Sequence, residues 1–302
     1  MARFLDPKAD LTFKKIFGQH PRLIISFLNA VMPFEPGRYI VNVEYLPSEM
    51  IPENPGRKYS IVDVRCTDNH KRQFIVEMQA NWEEGFMNRI VFNAGKAYVR
   101  QLEKGQEYDL LQTVYTLAIL SENFDRKSDQ FYHHYKIVNV ENTEEVIEGL
   151  EFVLVELNKF RPENMADRKH AMIWLRFLKE VNEDLKALPP EMLEFEDVRL
   201  AAELCEESAF TPEELAAYEK YWDLVRTEKT AMKSAMKKGR IEGRTEGRAE
   251  GRAEGRTEGR AEKTLEIALK GLEMGMSIED MSHLTGLPKQ QIEKLISNNL
   301  DS

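Results

Sequence analysis

The sequence has few of the features that mark secreted or membrane-spanning proteins. Its 302 residues include only two cysteines, Cys66 and Cys205, which are too few for a disulfide framework. No apolar run approaches the roughly 20 residues that a membrane-spanning helix needs. The opening segment MARFLDPKADL lacks the apolar core of a signal peptide. We therefore expect a cytoplasmic protein with both thiols reduced and no membrane partner.

The motifs of several enzyme classes are also missing. No Gly-rich phosphate-binding loop precedes a predicted helix, and no serine elbow or Cys/His pattern indicates a covalent nucleophile. His133 and His134 have no acidic or cysteine partner at metal-ligand spacing, and we interpret them as surface or strand-edge residues. These absences argue against phosphate-loop and covalent-nucleophile chemistry.

Positive charge is scarce and unevenly distributed. The chain carries 42 Lys and Arg against 52 Asp and Glu, a net charge of −10. The net charge is −12 over residues 1–228, +5 over residues 229–263 and −3 over residues 264–302. Neutralisation of phosphates supplies most non-specific affinity for DNA, so the acidic first segment is unusual for a strong DNA binder.

Predicted strands come early in the chain and helices follow them. Short helices are predicted at 10–16 and 21–31, and a longer one at about 82–104. Strands are predicted at 38–46, 58–67, 72–80, 111–120, 135–140 and 151–157. Beyond residue 161 the pattern is helical. A chain of this length holds one well-buried core and an appended element, so we expect an α/β domain with a helical C-terminal extension.

Two acidic residues are predicted to face each other across a hairpin. If the strand-like runs 58–67 and 72–80 pair about His70, Asp63 lies directly opposite Glu77. By the same register, position 61 lies opposite position 79. Residues directly opposite share one face, with Cβ atoms roughly 4.5–5.5 Å apart. Two carboxylates at that spacing repel, and a divalent cation is the simplest remedy because hard cations prefer carboxylate oxygens. Gln79 lies on the same face.

An Asp on one strand and Glu-x-Lys on the next form the signature of PD-(D/E)XK nucleases. The chain resembles the Rpn branch, recombination-promoting nucleases and transposase-like proteins. The matching segments are DLTFKKIFG, LIISFLNAVM, IVDVRCTD, FIVEMQ and KAYVRQLEKGQEY. The resemblance covers nearly the whole chain, including a C-terminal repeat. Val62 replaces the signature Pro, and Gln79 replaces the signature Lys, which is thought to orient the attacking water and help neutralise phosphorane charge.

The resemblance implies a PD-(D/E)XK restriction-endonuclease-like core and a DNA endonuclease that uses Mg²⁺ or Mn²⁺ and promotes recombination. Asp63 and Glu77 would ligate the metal, with a backbone carbonyl near Met78 as a third ligand. Gln79 would position the nucleophilic water. The alternative is a non-catalytic, degenerate nuclease fold that binds DNA or a protein. The uncharged Gln79 and the acidic body favour this alternative, and the intact Asp63/Glu77 pair favours the enzyme.

The helix after the hairpin has two contrasting stripes. One is apolar and contains Met87, Val91, Ala94, Tyr98 and Leu102. The opposite stripe is basic and contains Arg89, Lys96 and Arg100. This basic stripe is either a solvated face or a weak candidate for contacts with DNA phosphates.

Four segments are predicted along the chain. They are a nuclease-like core at 1–160, a helical extension at 161–238, six Gly-Arg-x-Glu repeats at 239–262 and a small helical tail at 263–302. Glycine destabilises a lone helix by roughly 1 kcal/mol relative to alanine. We therefore expect the repeat to be flexible by itself, and helical if two chains pair through it.

Apolar residues before the repeat follow a three-four spacing. They are Leu215, Tyr218, Trp222, Val225, Lys229, Met232 and Met236, with Lys229 as a polar exception. The spacing indicates either a coiled coil, and hence a homo-oligomer, or an amphipathic helix packed on the body. In the tail, Ser277 and Pro288 are predicted to begin two helices separated by Gly286. This outline resembles a helix-turn-helix, and contacts with DNA and with protein both remain open.

Overall fold

A computed structural model describes residues 3–50, 60–80, 83–165 and 168–300 of the chain. The chain divides into two compact units, residues 1–229 and residues 230–302. The first unit contains a mixed β-sheet between helical layers, and the described part of the second is helical. The predicted α/β architecture with a helical C-terminal extension is confirmed. The finer division into four segments stays a prediction.

The first unit contains one large and one small sheet. The strands are β1 (Val43–Tyr45), β2 (Glu49–Met50), β3 (Ser60–Ile61), β4 (Val64–Asp68), β5 (Gln73–Gln79), β6 (Val114–Leu120), β7 (Tyr132–Val138) and β8 (Val146–Glu156). The large sheet has the order β1-β4-β5-β6-β8-β7, in which β6 lies parallel to both β5 and β8. All seven residues of β6, VYTLAIL, are buried, as expected for a strand covered on both faces.

The described helices are α1 (Asp10–Gln19), α2 (Pro21–Val31), α3 (Phe86–Val99), α4 (Lys169–Glu180), α5 (Pro190–Leu193), α6 (Glu196–Glu203), α7 (Pro212–Glu273), α8 (Ile278–Thr285) and α9 (Lys289–Leu300). The first three lie close to the helices predicted at 10–16, 21–31 and about 82–104. Among these described helices, none has both the length and the apolar composition that a membrane crossing needs. Both cysteines are buried and free.

The two faces of the large sheet are covered by different helices. On one face, α1, α2, α4 and α6 enclose the main core. Its centre is an aromatic group of Phe17, Phe27 and Trp174, whose ring centroids lie 4.7–5.6 Å apart. On the other face lies α3, the connection between the parallel strands β5 and β6. Because α3 follows β5 directly, its first turns lie beside the C-terminal end of that strand.

The predicted hairpin forms with the predicted register. Val64 of β4 lies opposite Val76 of β5, so the pairing is centred on position 70. In the turn, Asp68 Oδ1 accepts hydrogen bonds from the backbone N–H groups of His70 and Arg72, each at 2.9 Å. This Asx-type contact closes the turn and fixes which residues of the two strands face each other.

The pairing does not extend as far as predicted, because the first strand is broken. Ile61 pairs with Glu49 in the small sheet, so the expectation that it lies opposite Gln79 is wrong. The backbone N–H of Val62 donates to the carbonyl of Ser48 at 3.1 Å, which draws the chain away from β5 before β4 begins. Residues 58 and 59 of the predicted strand lie outside the described residues.

Helix α3 is rotated relative to the prediction. Its buried residues are Phe86, Ile90, Asn93, Ala94 and Ala97. Val91, which was assigned to the apolar stripe, is 49% exposed, so that assignment is wrong. The small side chains of Ala94 and Ala97 let the helix pack closely on the sheet, and this packing sets its rotation. As a result, the three basic residues border the buried face and are half-buried.

The first part of α7 packs on the N-terminal segment of the chain. Tyr218 is 2% exposed, and its hydroxyl accepts a hydrogen bond from the Asp6 N–H at 2.8 Å. Lys229 Nζ lies 2.9 Å from Glu122 Oε1, in the loop after β6. These contacts support an amphipathic helix packed on the body for this part of α7. Further along, Met232 is 43% exposed.

The Gly-Arg-x-Glu repeat lies inside α7 and is helical throughout. The expectation of a flexible linker in the single chain is therefore wrong. Arg, Glu and Ala favour helix, and the repeat continues an existing helix without a new nucleation cost. A Cβ atom built on Gly247 or Gly255 would meet no atom within 4 Å. The glycine stripe is thus open to its surroundings.

The second unit has a small core of its own. Ala268 of α7, Met281 of α8 and Ile292 of α9 are buried against one another. Ser277 Oγ accepts a hydrogen bond from the Asp280 N–H at 3.1 Å, so the predicted cap of α8 is confirmed. Gly286 ends that helix with a φ of 72°, a conformation that glycine adopts without strain.

Replacing both Gly247 and Gly255 by alanine is expected to stabilise the helical repeat by up to about 1 kcal/mol per site, because glycine costs that much in a helix interior. Thermal unfolding followed by far-UV circular dichroism should show a higher melting temperature for this segment. The matched control, Ala249→Gly with Ala253→Gly, should lower it. If the alanine variant instead melts earlier and loses self-association in light scattering, the glycines pack against a second chain.

Candidate active site

Asp63 lies at the residue before β4, where the chain passes from the small sheet to the large one. Its Oδ2 accepts a hydrogen bond from the backbone N–H of Met78 in β5, at 2.6 Å. Continuing the β4–β5 register by one residue puts Asp63 opposite Glu77. The strand is broken before β4, so Ile61 does not pair with β5. The Asp63 carboxylate nevertheless remains hydrogen-bonded to β5 through the Met78 N–H.

Glu77 lies on β5 and faces α3. Its side chain is almost completely buried, with the residue 6% exposed, and Oε1 accepts a hydrogen bond from Asn93 Nδ2 at 3.0 Å. Asn93 projects from the buried side of α3. The sheet thus supplies two carboxylates, and the helix above it supplies an amide that fixes the orientation of one of them.

Burial raises the pKa of both carboxyl groups. For Asp63 the pKa rises to about 7, chiefly through desolvation, and the negative charges of Glu77 and Asp10 add to the shift. The hydrogen bond from Met78 opposes it. The pKa of Glu77 is also raised by desolvation, although the Asn93 hydrogen bond and the charge of Arg89 oppose this. Two desolvated carboxylates are costly when both are ionised, so the pair favours a proton or a cation.

Gln79 lies two residues beyond Glu77 and is joined to α3. Its Oε1 accepts a hydrogen bond from Arg89 Nη2 at 2.5 Å. Arg89 Nη1 also donates to Glu83 Oε2 at 3.2 Å, and the guanidinium carbon lies 5.0 Å from the centre of the Phe86 ring. The predicted site residue Gln79 and the predicted DNA contact Arg89 are thus one connected pair.

Helix α1 contributes a second charged pair beside Asp63. Lys14 Nζ lies 2.7 Å from Asp10 Oδ1, and both residues are close enough to Asp63 to influence its pKa. An open cleft of about 260 Å³ gives access to this side of the carboxylate; it is lined by Lys14, Gln19, Tyr45, Ser48, Asp63 and Arg65.

Lys96 and Arg100 lie further along α3 than Arg89. Arg100 lies near Arg65 of β4, whose guanidinium donates to Gln73 Oε1 at 2.9 Å. The pKa of Arg65 is lowered by burial and by the charge of Arg100, and the pKa of Lys96 is lowered by the same two causes. The predicted basic residues therefore separate into Arg89 at Gln79 and a second cationic group beside Arg65.

Two residues near the carboxylates were not found by sequence reasoning. Asn93 follows Arg89 by four positions on α3, and a lone polar residue on the buried side of a helix was its only sequence signal. Tyr221 of α7 lies where the charges of Asp10 and Asp63 raise its pKa, although desolvation is the larger cause. Tyr221 could not be found from local sequence, because α7 is distant in the chain from both carboxylates.

Glu156, at the end of β8, is a buried carboxylate of a different kind. Its oxygens accept hydrogen bonds from the Phe124 N–H at 2.7 Å, from His133 Nε2 at 3.0 Å and from Lys159 Nζ at 2.6 Å. A buried charge with this many donors holds surrounding segments together. Glu156 thus anchors the loop after β6 and is structural, and His133 is buried with it, not at the surface.

The donors beside Asp63 and Glu77 suit a hard cation. They are carboxylate and amide oxygens, which Mg²⁺ and Mn²⁺ prefer. Asn93 Oδ1 is buried and has no hydrogen-bond partner in the described part of the chain. Among the described residues, no group of three or more His, Cys, Asp and Glu side chains converges to hold a metal. An ion held by these few protein atoms would keep several waters, as Mg²⁺ sites commonly do.

A mixed sheet covered by helices on both faces, with paired acidic residues at one end of a hairpin, is the architecture of PD-(D/E)XK nucleases. The family model described as "PD-(D/E)XK nuclease family transposase" matches residues 7–235, and the chain belongs to this family. The family supports a nuclease-like function with DNA as substrate, and PD-(D/E)XK nucleases generally use divalent metals. No curated protein and no solved structure matches the chain.

The Asp63→Asn variant is expected to change how stability depends on pH. Between pH 3.8 and about 7, folded Asp63 retains a proton that the unfolded chain has released. Its contribution to stability therefore falls as the pH rises through this range. In metal-free buffer at pH 8, Asp63→Asn should melt about 2–4 °C above the wild type, a shift that corresponds to roughly 1 kcal/mol.

Below about pH 3 the melting temperatures of Asp63→Asn and the wild type should converge, because the wild-type carboxyl, with an unfolded pKa of 3.8, is then mostly protonated in both states. Differential scanning calorimetry across this pH range, with EDTA present, measures the difference. Equal melting temperatures at pH 8 would mean that the Asp63 carboxylate is well solvated in the folded protein.

Proposed function

We propose that the protein is a divalent-metal-dependent DNA endonuclease related to transposases, which hydrolyses phosphodiester bonds and thereby promotes recombination. The observation that carries the proposal is the pair Asp63 and Glu77. The hairpin register puts both residues at one end of β4 and β5, and burial raises the pKa of both carboxyl groups. A fold that keeps two carboxylates in this unfavourable arrangement gains from binding a cation there.

In this proposal Asp63 and Glu77 hold Mg²⁺ or Mn²⁺, with a backbone carbonyl near Met78 as a third ligand. The bound ion supplies a water of lowered pKa and stabilises charge on the scissile phosphate. The Met78 N–H fixes the orientation of the Asp63 carboxylate, and Asn93 does the same for Glu77. These two hydrogen bonds leave the remaining carboxylate oxygens available as ligands.

Gln79 orients the nucleophilic water in this proposal. Its Oε1 is engaged by Arg89, because a guanidinium can only donate. The amide nitrogen is the hydrogen-bond donor of this side chain, and in this proposal it donates to the attacking water. Gln79 has no charge of its own, so the site needs another source of positive charge besides the metal.

We also propose that Arg89, Lys96 and Arg100 contact DNA phosphates. All three are half-buried on α3, with Arg89 at Gln79 and the other two further along the helix. A line of cations on this helix would attract a phosphate backbone, even though residues 1–228 carry a net charge of −12.

The second candidate function is a non-catalytic module that binds DNA or a protein. It is favoured by Gln79 in place of a lysine. It is also favoured because, among the described residues, no three His, Cys, Asp or Glu side chains converge to hold a metal. The two functions differ in one measurable property, namely metal-dependent nicking of supercoiled plasmid.

The C-terminal region is proposed to drive self-association. Residues 230–302 form a separate compact unit with exposed Arg and Glu stripes along α7. A homodimer would supply the two active sites needed to cut both strands of a duplex. The helix-turn-helix-like tail then contacts either DNA or protein. The cytoplasmic location and the four-segment division stay predictions.

Asp63→Asn and Glu77→Gln are each expected to lower the rate of plasmid nicking by at least about 100-fold, because each removes a negatively charged metal ligand. Isothermal titration with Mn²⁺ should show weakened binding in both variants. Circular dichroism should show an unchanged fold, since each substitution keeps the side-chain shape.

The matched control for the two metal-ligand variants is Glu141→Gln, an exposed carboxylate after β7, which should nick DNA at the wild-type rate. The wild type must also be inactive in EDTA. Undiminished nicking by both Asp63→Asn and Glu77→Gln would move the active site elsewhere.

Full-length protein is expected to be dimeric or larger at micromolar concentration and low salt, and to dissociate partly at 0.5 M salt. Charge pairing between exposed stripes weakens with ionic strength. A chain truncated after residue 229 keeps the part of α7 that packs on the body and should be monomeric. Multi-angle light scattering distinguishes the states. A monomeric full-length protein at low salt would contradict the proposed role of the repeat.

A further inference from the structure

Arg89 is attached to the candidate site from a different element than the carboxylates. It lies in the first turn of α3, and its Nη2 donates to Gln79 Oε1 at 2.5 Å. Gln79 and Glu77 are two residues apart on β5 and face the same side of the sheet. The guanidinium is therefore held beside the carboxylate pair, at the end of the strand.

The other contacts of Arg89 keep the side chain oriented without closing it off. Its partner Glu83 is about half exposed, and an exposed ion pair of this kind adds little to stability. The fully buried Phe86 ring lies 5.0 Å from the guanidinium carbon and gives the group a rigid surface to rest on. The Arg89 side chain is still 37% exposed, so a ligand in solution can reach it.

A guanidinium has chemistry that neither the two carboxylates nor the Gln79 amide supplies. It carries a permanent charge and five N–H donors in a rigid fork that matches two phosphate oxygens. In the described residues, one N–H of Nη2 is used on Gln79 and one of Nη1 on Glu83. Those two contacts involve different nitrogens and leave further donors for a phosphate.

We propose that Arg89, held in position by Gln79, binds the phosphate that is cut and stabilises the negative charge that develops on it. This inference rests on the proposed function. The neutral amide of Gln79 holds the guanidinium in place, and Arg89 of α3 supplies the positive charge. A preorganised donor of this kind is typically worth about 10²–10³ in rate.

The test uses four full-length variants: Arg89→Met, Gln79→Lys, the double variant, and the control Arg199→Met. Methionine has a length similar to that of arginine but no charge. Arg199 is an exposed arginine on α6 with a glutamate four residues later, Glu203, so it matches the chemistry of Arg89 away from the site. Two properties are measured: the single-turnover cleavage rate at saturating DNA, and the salt dependence of binding to a labelled duplex in EDTA.

Arg89→Met should cut DNA about 10²–10³-fold more slowly than the wild type. The slope of log binding constant against log salt concentration should become shallower by about one, as expected when one phosphate contact is lost. The double variant should regain at least 10-fold of the lost rate, because a lysine at position 79 restores a cation beside Glu77. Arg199→Met should match the wild type in both measurements. A purely structural role for Arg89 would not be rescued by Gln79→Lys.

The outcomes separate this inference from the proposed function. If the wild type cuts DNA and Arg89→Met cuts equally fast, or if the double variant stays as slow as Arg89→Met, the inference is wrong and the nuclease stands. If the wild type never cuts with Mg²⁺ or Mn²⁺, the proposed function fails. If Arg89→Met then also binds the duplex with the same salt dependence as the wild type, Arg89 does not contact a phosphate.

Discussion

The register of β4 against β5 is the constraint on which the site depends. The Asp63 and Glu77 carboxylates are close enough for the charge of Glu77 to raise the pKa of Asp63, and they repel when both are ionised. The opposite face of the same hairpin offsets this, because Val64 and Val76 are buried in the main core, and each such side chain contributes about 1.5–3 kcal/mol. A slip of one residue would exchange the two faces, so hydrophobic burial keeps Asp63 opposite Glu77.

Helix α3 is the second element that positions the site. The same face of this helix packs on the sheet and contacts Glu77. It must return from the end of β5 to the start of β6, and it therefore begins beside the carboxylates. Ala94 and Ala97 let it lie close to the sheet, which brings Asn93 within hydrogen-bond distance of Glu77. The rotation that buries these alanines also turns Arg89 towards Gln79. Packing therefore determines the polar contacts.

Local patterns predicted the parts of this structure that local forces decide. The alternation of the two strands gave the hairpin, its centre and the facing carboxylates, and Ser277 and Gly286 gave the tail helix. The break before β4 depends on a hydrogen bond from Val62 to Ser48, across a sheet that no local pattern predicts. The rotation of α3 depends on the packing of Ala94 and Ala97 against the sheet. A helical wheel drawn from the sequence carries no information about that packing. Tyr221 reaches Asp63 only through the tertiary fold.

A net negative charge over residues 1–228 is compatible with binding of DNA if only the charges near the site affect the phosphates. At physiological salt the screening length is about 8 Å, so carboxylates far from the site contribute little to the potential there. Near Asp63 and Glu77, Lys14, Arg65 and Arg89 offset much of the negative charge, and a divalent ion would reverse it. The rest of the acidic surface would then repel a phosphate backbone. On the proposed function, such a protein would bind DNA weakly overall and would favour contact at the metal-binding end of the hairpin, which suits an enzyme that must release its product.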